Sequence, residues 1–355
     1  MVLVNNPGTW AAVYPPLRHA EWHGLTPTDV IFPSFLFIVG VAIPLALGAR
    51  QARGDSRRAT IVAILRRSAI IGALGLLLHA LPFFNLATLR IPGVLQRIAV
   101  CYLIAALLFV TSGWRTHVVV TAALLLGYWA AMTLIPVPGF GPGDLGKEGN
   151  LAAYIDRAVF GPQHIWRTAR VYDPEGLLST APALATTLLG MLAGEWLKRS
   201  SRSDAPVSRE AALLALAGIV AIAAGAIWGS WFPVNKALWT SSYVLVTGGL
   251  SLIALALAHW VVEGLGYRRW AWPFVILGVN ALALFFLSSL VARLLIVVKV
   301  PRASGQSPLQ ALLFDRLFAP WATPINASLA YAIAYLVLWF AVMWALDRRG
   351  IRLTV

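Results

Sequence analysis

The stretch "HAEWHGLTPTDVIFPSFLFIVG", residues 19–40, sets two histidines, a glutamate and an aspartate against a long apolar run. An imidazole titrates near neutral pH, so His19, placed where water reaches it, can act as base, acid or nucleophile. The plainer reading is an interfacial histidine bonded to a loop carbonyl. His19 and His23, four apart, can face one metal on a helix, but Gly24 and Pro27 weaken that helix and no third ligand has recognisable spacing. No metal is expected. Asp29, at the end of "TPTD", reads first as the N-cap of the following helix and second as a group that orients a histidine.

Other polar groups stand where lipid or its border makes them costly unless they face a protein-lined cavity. They are Asn5 and Asn6 in "VNN", Arg90 and Arg97 around "RIPGVLQR", Asp173 and Glu175 in "YDPEG", and Asn235 and Lys236 in "FPVNKALW". Arg97 lies inside an apolar run and needs a carboxylate, phosphate or carbonyl partner, so pairing within the protein and contact with a ligand both stay open. Asn280 reads as an interhelical hydrogen-bonding group, and His79 and His259 as packing residues near the ends of runs.

The elements that must position these groups are membrane helices. Of 355 residues, 59% are hydrophobic and only 12% charged, against about 25% charged in soluble domains. Lipid offers no partners to backbone amides, and a helix of about 20 apolar residues crosses it while satisfying its own. Nine such runs lie near residues 30–49, 68–84, 94–112, 117–136, 177–197, 211–229, 240–262, 273–295 and 327–346. The fold class is therefore an all-α polytopic bundle forming one integral domain over residues 1–355. Residues 299–326, containing "LQALLFDRLF", are expected to hold either a short interfacial helix or loop.

Charge supplies the orientation. More than half of the 28 Lys and Arg residues fall in alternate loops, at 50–67, 115, 198–209, 268–269 and 348–352, which places those loops and the C-terminus in the cytoplasm. Residues 5–28 and the long mixed-charge loop 137–176 then lie outside. Nine spans with a cytoplasmic C-terminus put the start outside, and "MVLV" reads as the stump of a truncated first helix, with a tenth span expected upstream.

The net charge of +14 follows from these loops, and with no basic patch interleaved with aromatics on a polar fold, nucleic acid is not an expected partner. The single cysteine, Cys101, excludes an intrachain disulfide and a cysteine metal cluster. P-loop, G-x-G-x-x-G and G-x-S-x-G patterns do not occur, which removes the usual markers of nucleotide hydrolysis, dinucleotide binding and serine hydrolysis.

Five stretches in order, "VNNPG" (4–8), "HAEWHGLTPTDVIFPSFLFIVG" (19–40), "LRIPGVLQRIAVCYL" (89–103), "YDPEGLLST" (172–180) and "FPVNKALWTSSYV" (232–244), resemble the heparan-α-glucosaminide N-acetyltransferase family, in a bacterial form without the extra luminal domain. The resemblance implies a ten-helix core in the cytoplasmic (inner) membrane. It implies transfer of acetyl from cytosolic acetyl-CoA to the amino group of a glucosamine-type sugar across the lipid bilayer, with a homodimer as a further carry-over. It places the active histidine at His19 and an assisting asparagine at Asn5, with Asn6 the other choice. His19 would serve as base or as a transient acetyl carrier, Asn5 would donate to the developing oxyanion, and Asp29 would hold the imidazole tautomer. From their own positions, and not from the resemblance, Asn6, His23, Arg97, Asp173, Glu175, Asn235 and Lys236 are expected to line the substrate site. The arginines of residues 50–67 and 198–209 would meet the CoA phosphates, although topology alone produces the same pattern.

Rival readings are a secondary transporter of a sugar or other small solute, a membrane acyltransferase with a different acceptor, and a structural membrane partner. A transporter predicts two matching halves with midplane charges, whereas here the obvious charges crowd one side.

Overall fold

A computed structural model describes residues 1–200, 205–302 and 305–353; Arg202, counted above with the cytoplasmic arginines, lies outside them. The described residues are mostly helical. The helices are α1 (Val2–Asn5), α2 (Ile31–Ala52), α3 (Arg57–Ala80), α4 (Val94–Thr111), α5 (Trp114–Leu134), α6 (Leu151–Phe160), α7 (Thr180–Ser200), α8 (Val207–Trp228), α9 (Ser241–His259), α10 (Trp272–Val279), α11 (Ala281–Val297), α12 (Leu309–Leu317) and α13 (Pro324–Arg348).

Each of the nine apolar runs coincides with helix, but among the described residues seven helices are long and apolar enough to cross a membrane: α2, α3, α4, α5, α8, α9 and α13. The run at 273–295 is broken into α10 and α11, which meet at 66°. The break falls at Asn280, which does not bridge two spans as expected. Its amide accepts from Leu353 N at 2.7 Å and donates to Ile351 O at 3.4 Å, fastening the chain's last described residues to the bend. The run at 177–197 becomes α7, whose side chains are mostly buried, including Thr186, Thr187 and Glu195. The helix expected near 68–84 starts earlier, at Arg57, because Ser56 accepts from Ala59 N and caps it there.

The core is built around α7. A Cβ at Gly40 of α2 would overlap Thr187 O, and one at Gly190 of α7 would overlap Phe37 O, so the two backbones touch only because both residues are glycine. Leu36, Ile43, Ala183, Leu188, Met191, Cys101, Ala105 and Trp239 pack in the cluster this crossing organises. Within residues 299–326, strands β1 (Lys299–Arg302) and β2 (Gly305–Pro308) pair antiparallel and are followed by α12. The short helix is one of the two readings the sequence left open; the hairpin was in neither.

Candidate active site

The loop before α2 is held from three sides. Trp22 Nε1 donates to Leu145 O at 2.9 Å, and its ring meets Tyr172 edge-on at 4.9 Å. Gly24 N donates to Val234 O at 2.8 Å, at a backbone φ of +117 that a side chain would resist. A turn of 3-10 helix, Pro27–Val30, then leads into α2. Thr26 and Asp29 form a reciprocal capping box at its start, the Thr26 side chain receiving the Asp29 N–H.

Asp29 does two jobs at once, so the two sequence readings are not alternatives. Its Oδ2 accepts from Thr26 N at 3.0 Å, Thr26 Oγ1 at 2.9 Å and Ala20 N at 3.0 Å. Its Oδ1 lies 2.7 Å from His19 Nδ1. The carboxylate is 1% exposed while the imidazole is 45% exposed, so the anchor is buried and the ring is open. Tyr243 Oη donates to the Asp29 carbonyl at 2.6 Å, tying the pair to α9. With Nδ1–H given to Asp29, the imidazole lone pair is on Nε2.

Lys236, on the loop between α8 and α9, reaches the same ring. Its Nζ lies 3.1 Å from His19 Nε2, 3.0 Å from Nδ1 and 3.8 Å from Asp29 Oδ1. Burial lowers the pKa of this amine below the ordinary lysine value, against the opposing charges of Glu175 and Asp29.

These groups face a cavity of about 370 Å³ lined by Asn5, His19, Arg90, Glu175 and Lys236, with Trp166, Pro174, Ile31, Phe32, Val94 and Phe285 supplying apolar wall. Arg90 is fixed by a forked grip on Asp173, Nε to Oδ2 at 2.9 Å and a terminal nitrogen to Oδ1 at 2.6 Å, and that nitrogen also reaches Glu175 Oε2 at 2.5 Å. Burial alone would lower the Arg90 pKa, but Glu175 and Asp173 raise it, and the guanidinium stays charged.

The remaining predicted residues lie around the cavity rather than on it. Asn6 donates to Val2 O at 2.7 Å. His23 Nδ1 lies 3.3 Å from Asn235 Nδ2, and burial lowers its pKa. Asn235 Oδ1 receives Leu238 N at 2.8 Å and so shapes the turn that carries Lys236. Arg97 is 2% exposed; it donates to Gly176 O at 3.1 Å and to Ser179 Oγ, and its guanidinium lies 5.0 Å from the Trp239 ring. The carboxylates are taken by Arg90 instead, and Arg97 Nε and one terminal nitrogen have no partner among the described residues. Sequence reasoning missed Trp166 and Phe285 as cavity walls, since an aromatic in a loop or apolar run carries no mark of its orientation.

Beyond Arg90 and Trp166 a second cavity, about 520 Å³, is lined by Asn85, Thr88, Arg167 and Arg293. Neither Arg167 nor Arg293 forms an ion pair with a carboxylate among the described residues. Arg293 donates to the Leu78, His79 and Leu81 carbonyls, and Arg167 to Thr88.

In the opposite direction, apolar space follows one face of α2. Phe35, Ile38, Val39, Ala42, Ala46 and Leu47 line a cavity of about 230 Å³ one helical turn past Phe32. It shares Ala46, Leu47, Arg67 and Tyr102 with a cavity of about 600 Å³ that holds Arg50 and Arg66. From Ile31 to Arg50 the helix rises roughly 28 Å, close to the thickness of a bilayer core. Among the described residues, no three His, Cys, Asp or Glu side chains converge as metal ligands do.

Fold and site together define a helical membrane protein with a histidine–aspartate pair at the mouth of an internal cavity. A family described as a domain of unknown function (DUF5009) matches residues 7–148. The chain is 30% identical to the heparan-alpha-glucosaminide N-acetyltransferase of Mus musculus and 31% identical to that of Homo sapiens, each over 336 residues covering 80% of this chain. The chain is thus similar to these transferases, as the five motifs implied, and it spans about half the length of either relative.

Proposed function

We propose that this protein is a membrane acetyltransferase that moves acetyl from acetyl-CoA, entering from the cytosol, to the amino group of a glucosamine-type sugar on the far side. The observation that carries the reading is the His19–Asp29 pair, with His19 lining a cavity that also holds Asn5 and Lys236. An amine attacks a thioester only when neutral, and an imidazole whose Nδ1–H is held by a buried carboxylate is placed to take the amine proton at Nε2. The same nitrogen can first accept the acetyl group and then release it to the amine. Asn5 is the better-placed of the two asparagines to donate to the oxyanion, because it lines the cavity while Asn6 is spent on Val2 O.

Donor and acceptor would arrive from opposite ends. Arg50, Arg66 and Arg67 at the far end of the α2 face suit the CoA phosphates, and the apolar cavity beside them suits the pantetheine arm. The second polar cavity, with Trp166, Arg167 and Arg293, suits the sugar units that follow the reacting one. This assignment needs α7 and the bent α10–α11 pair to span as well, giving nine spans with the C-terminus cytoplasmic, in a bacterial inner membrane.

The test is incubation of detergent-purified protein with labelled acetyl-CoA and glucosamine, followed by mass analysis of the sugar. Acetylated sugar from the parent protein and none from a normally inserted His19→Ala protein is the expected result. Full-rate acetylation by His19→Ala would remove the centre of the reading. A transporter has one observation in its favour, the break at Asn280, but that break is satisfied by the chain's own residues 351 and 353. Solute uptake without acetyl-CoA consumption would reinstate it.

A further inference from the structure

We infer that Lys236 is an internal acetyl acceptor: its amine stands where the sugar's amine must stand, and without a sugar the protein acetylates itself there. The inference rests on the transferase reading above. Any acceptor nitrogen must come within hydrogen-bond reach of His19 Nε2 to surrender its proton, and Lys236 Nζ is already 3.1 Å from that atom. It lies in the same cavity as Asn5 and Glu175 and its side chain is 21% exposed, so it faces the reacting space and not bulk water.

The amine projects from a pinned turn. Its backbone is one residue after Asn235, whose N–H donates to Thr240 Oγ1 at 3.0 Å and whose Oδ1 receives Leu238 N at 2.8 Å. Burial also favours the neutral, nucleophilic form of the amine.

The step balances with groups already named. The Lys236 nitrogen lone pair forms a bond to the acetyl carbonyl carbon, and the carbon–sulfur bond breaks with its electron pair leaving on sulfur. The amine proton passes to His19 Nε2 and then to the CoA thiolate, leaving Nε-acetyl-lysine and free CoA. The product is an amide, which does not return the acetyl group. Bound sugar displaces Lys236 from His19 and so protects it, and acceptor-starved protein runs down.

The sequence makes the experiment clean, because the chain has four lysines, at 147, 198, 236 and 299. Full-length protein is incubated with labelled acetyl-CoA without sugar, digested and analysed by mass. Lys236 is expected to carry label about tenfold above exposed Lys147 and Lys299, which report uncatalysed acetylation, as proximity to the acetyl group requires. Added glucosamine should suppress that label, and His19→Ala should reduce it to the level of the exposed lysines. Sugar acetylation with Lys236 labelled no more than Lys147 and Lys299 overturns the inference and leaves the transferase reading standing. Absence of label from both sugar and Lys236 overturns both.

Discussion

The imidazole of His19 and the carboxylate of Asp29 are 2.7 Å apart, and the oxygen of Asp29 that does not face the ring accepts three hydrogen bonds from Thr26 and Ala20. One side chain thereby couples the start of α2 to the orientation of the cavity-facing ring. The two roles separate by substitution. Thr26→Ala removes capping bonds but leaves the His19 contact, so stability should fall by about 1 kcal/mol with turnover largely kept. Asp29→Asn presents either an amide N–H or a neutral oxygen to Nδ1, loosens the tautomer, and should lower kcat by about a hundredfold or more. Thermal melts in detergent together with sugar-acetylation rates check both; equal losses of rate in the two variants would show that only the cap matters.

Arg90, Asp173 and Glu175 form one charged unit, with Asp173 fully covered by the surrounding protein. Removing Asp173 takes away two of the three hydrogen bonds that hold the largely covered guanidinium and leaves it Glu175 alone. Asp173→Asn is expected to cost about 3 kcal/mol. Arg90→Lys should rescue little, since an ammonium cannot grip Asp173 with two parallel donors as the guanidinium does. Denaturation midpoints of the two variants, compared with parent protein, provide the readout.

Asp156, on α6, supplies a pH signature. Burial is the main cause that lifts its pKa to about 7, and the nearby Asp173 charge adds to it, while the Leu177 N–H works the other way. The folded protein therefore holds this proton more tightly than the unfolded chain does. The stability it gives is complete below about pH 4, the ordinary carboxyl range, and is lost as pH rises to about 7. Asp156→Asn should flatten that part of the melting-temperature profile and raise the midpoint at pH 8; an unchanged slope between pH 4 and 7 would assign the dependence elsewhere.

Much of this architecture was legible because lipid imposes a simple rule on the backbone, and all nine apolar runs are helical. What the rule does not encode is who packs against whom. The burial of α7 depends on Gly40 meeting Thr187 O and Gly190 meeting Phe37 O, and small residues at one crossing give no signal in a hydropathy trace. Of the candidate site, Asn5, His19, Glu175 and Lys236 converge on one cavity from parts of the chain as distant as residues 5 and 236. The motifs named them without their mutual geometry. Arg97 illustrates the limit: an arginine inside an apolar run marks a special position, but only packing decides that Arg90 takes the carboxylates while Arg97 takes Gly176 O and Ser179.

Arg167 and Arg293 line the cavity next to the candidate active site without a carboxylate partner among the described residues. Cations arranged in this way favour an acceptor that carries a carboxylate, sulfate or phosphate near its amino sugar. Arg293→Gln should raise KM for such an acceptor by about tenfold, the value of one charged hydrogen bond, and change KM for an uncharged glucosamine oligomer little. Equal effects on both acceptors would reduce Arg293 to a structural role on the Leu78, His79 and Leu81 carbonyls.

The donor route makes the most exposed claim, since it asks one face of α2 to guide a thioester across the bundle. Ala46 lines both the apolar cavity and the arginine-lined one, so that route passes over it. An indole at this position would fill the passage without touching His19, Asp29 or Lys236. Ala46→Trp is therefore expected to abolish sugar acetylation and acetylation of His19 or Lys236 together, while leaving the nucleotide half of CoA able to bind at Arg50, Arg66 and Arg67. Titration with adenosine 3′,5′-bisphosphate measures the second half of that statement. An Ala46→Trp protein that turns over at the parental rate would mean the acetyl group reaches His19 by another path, and the cavities along α2 would then be packing defects rather than a conduit.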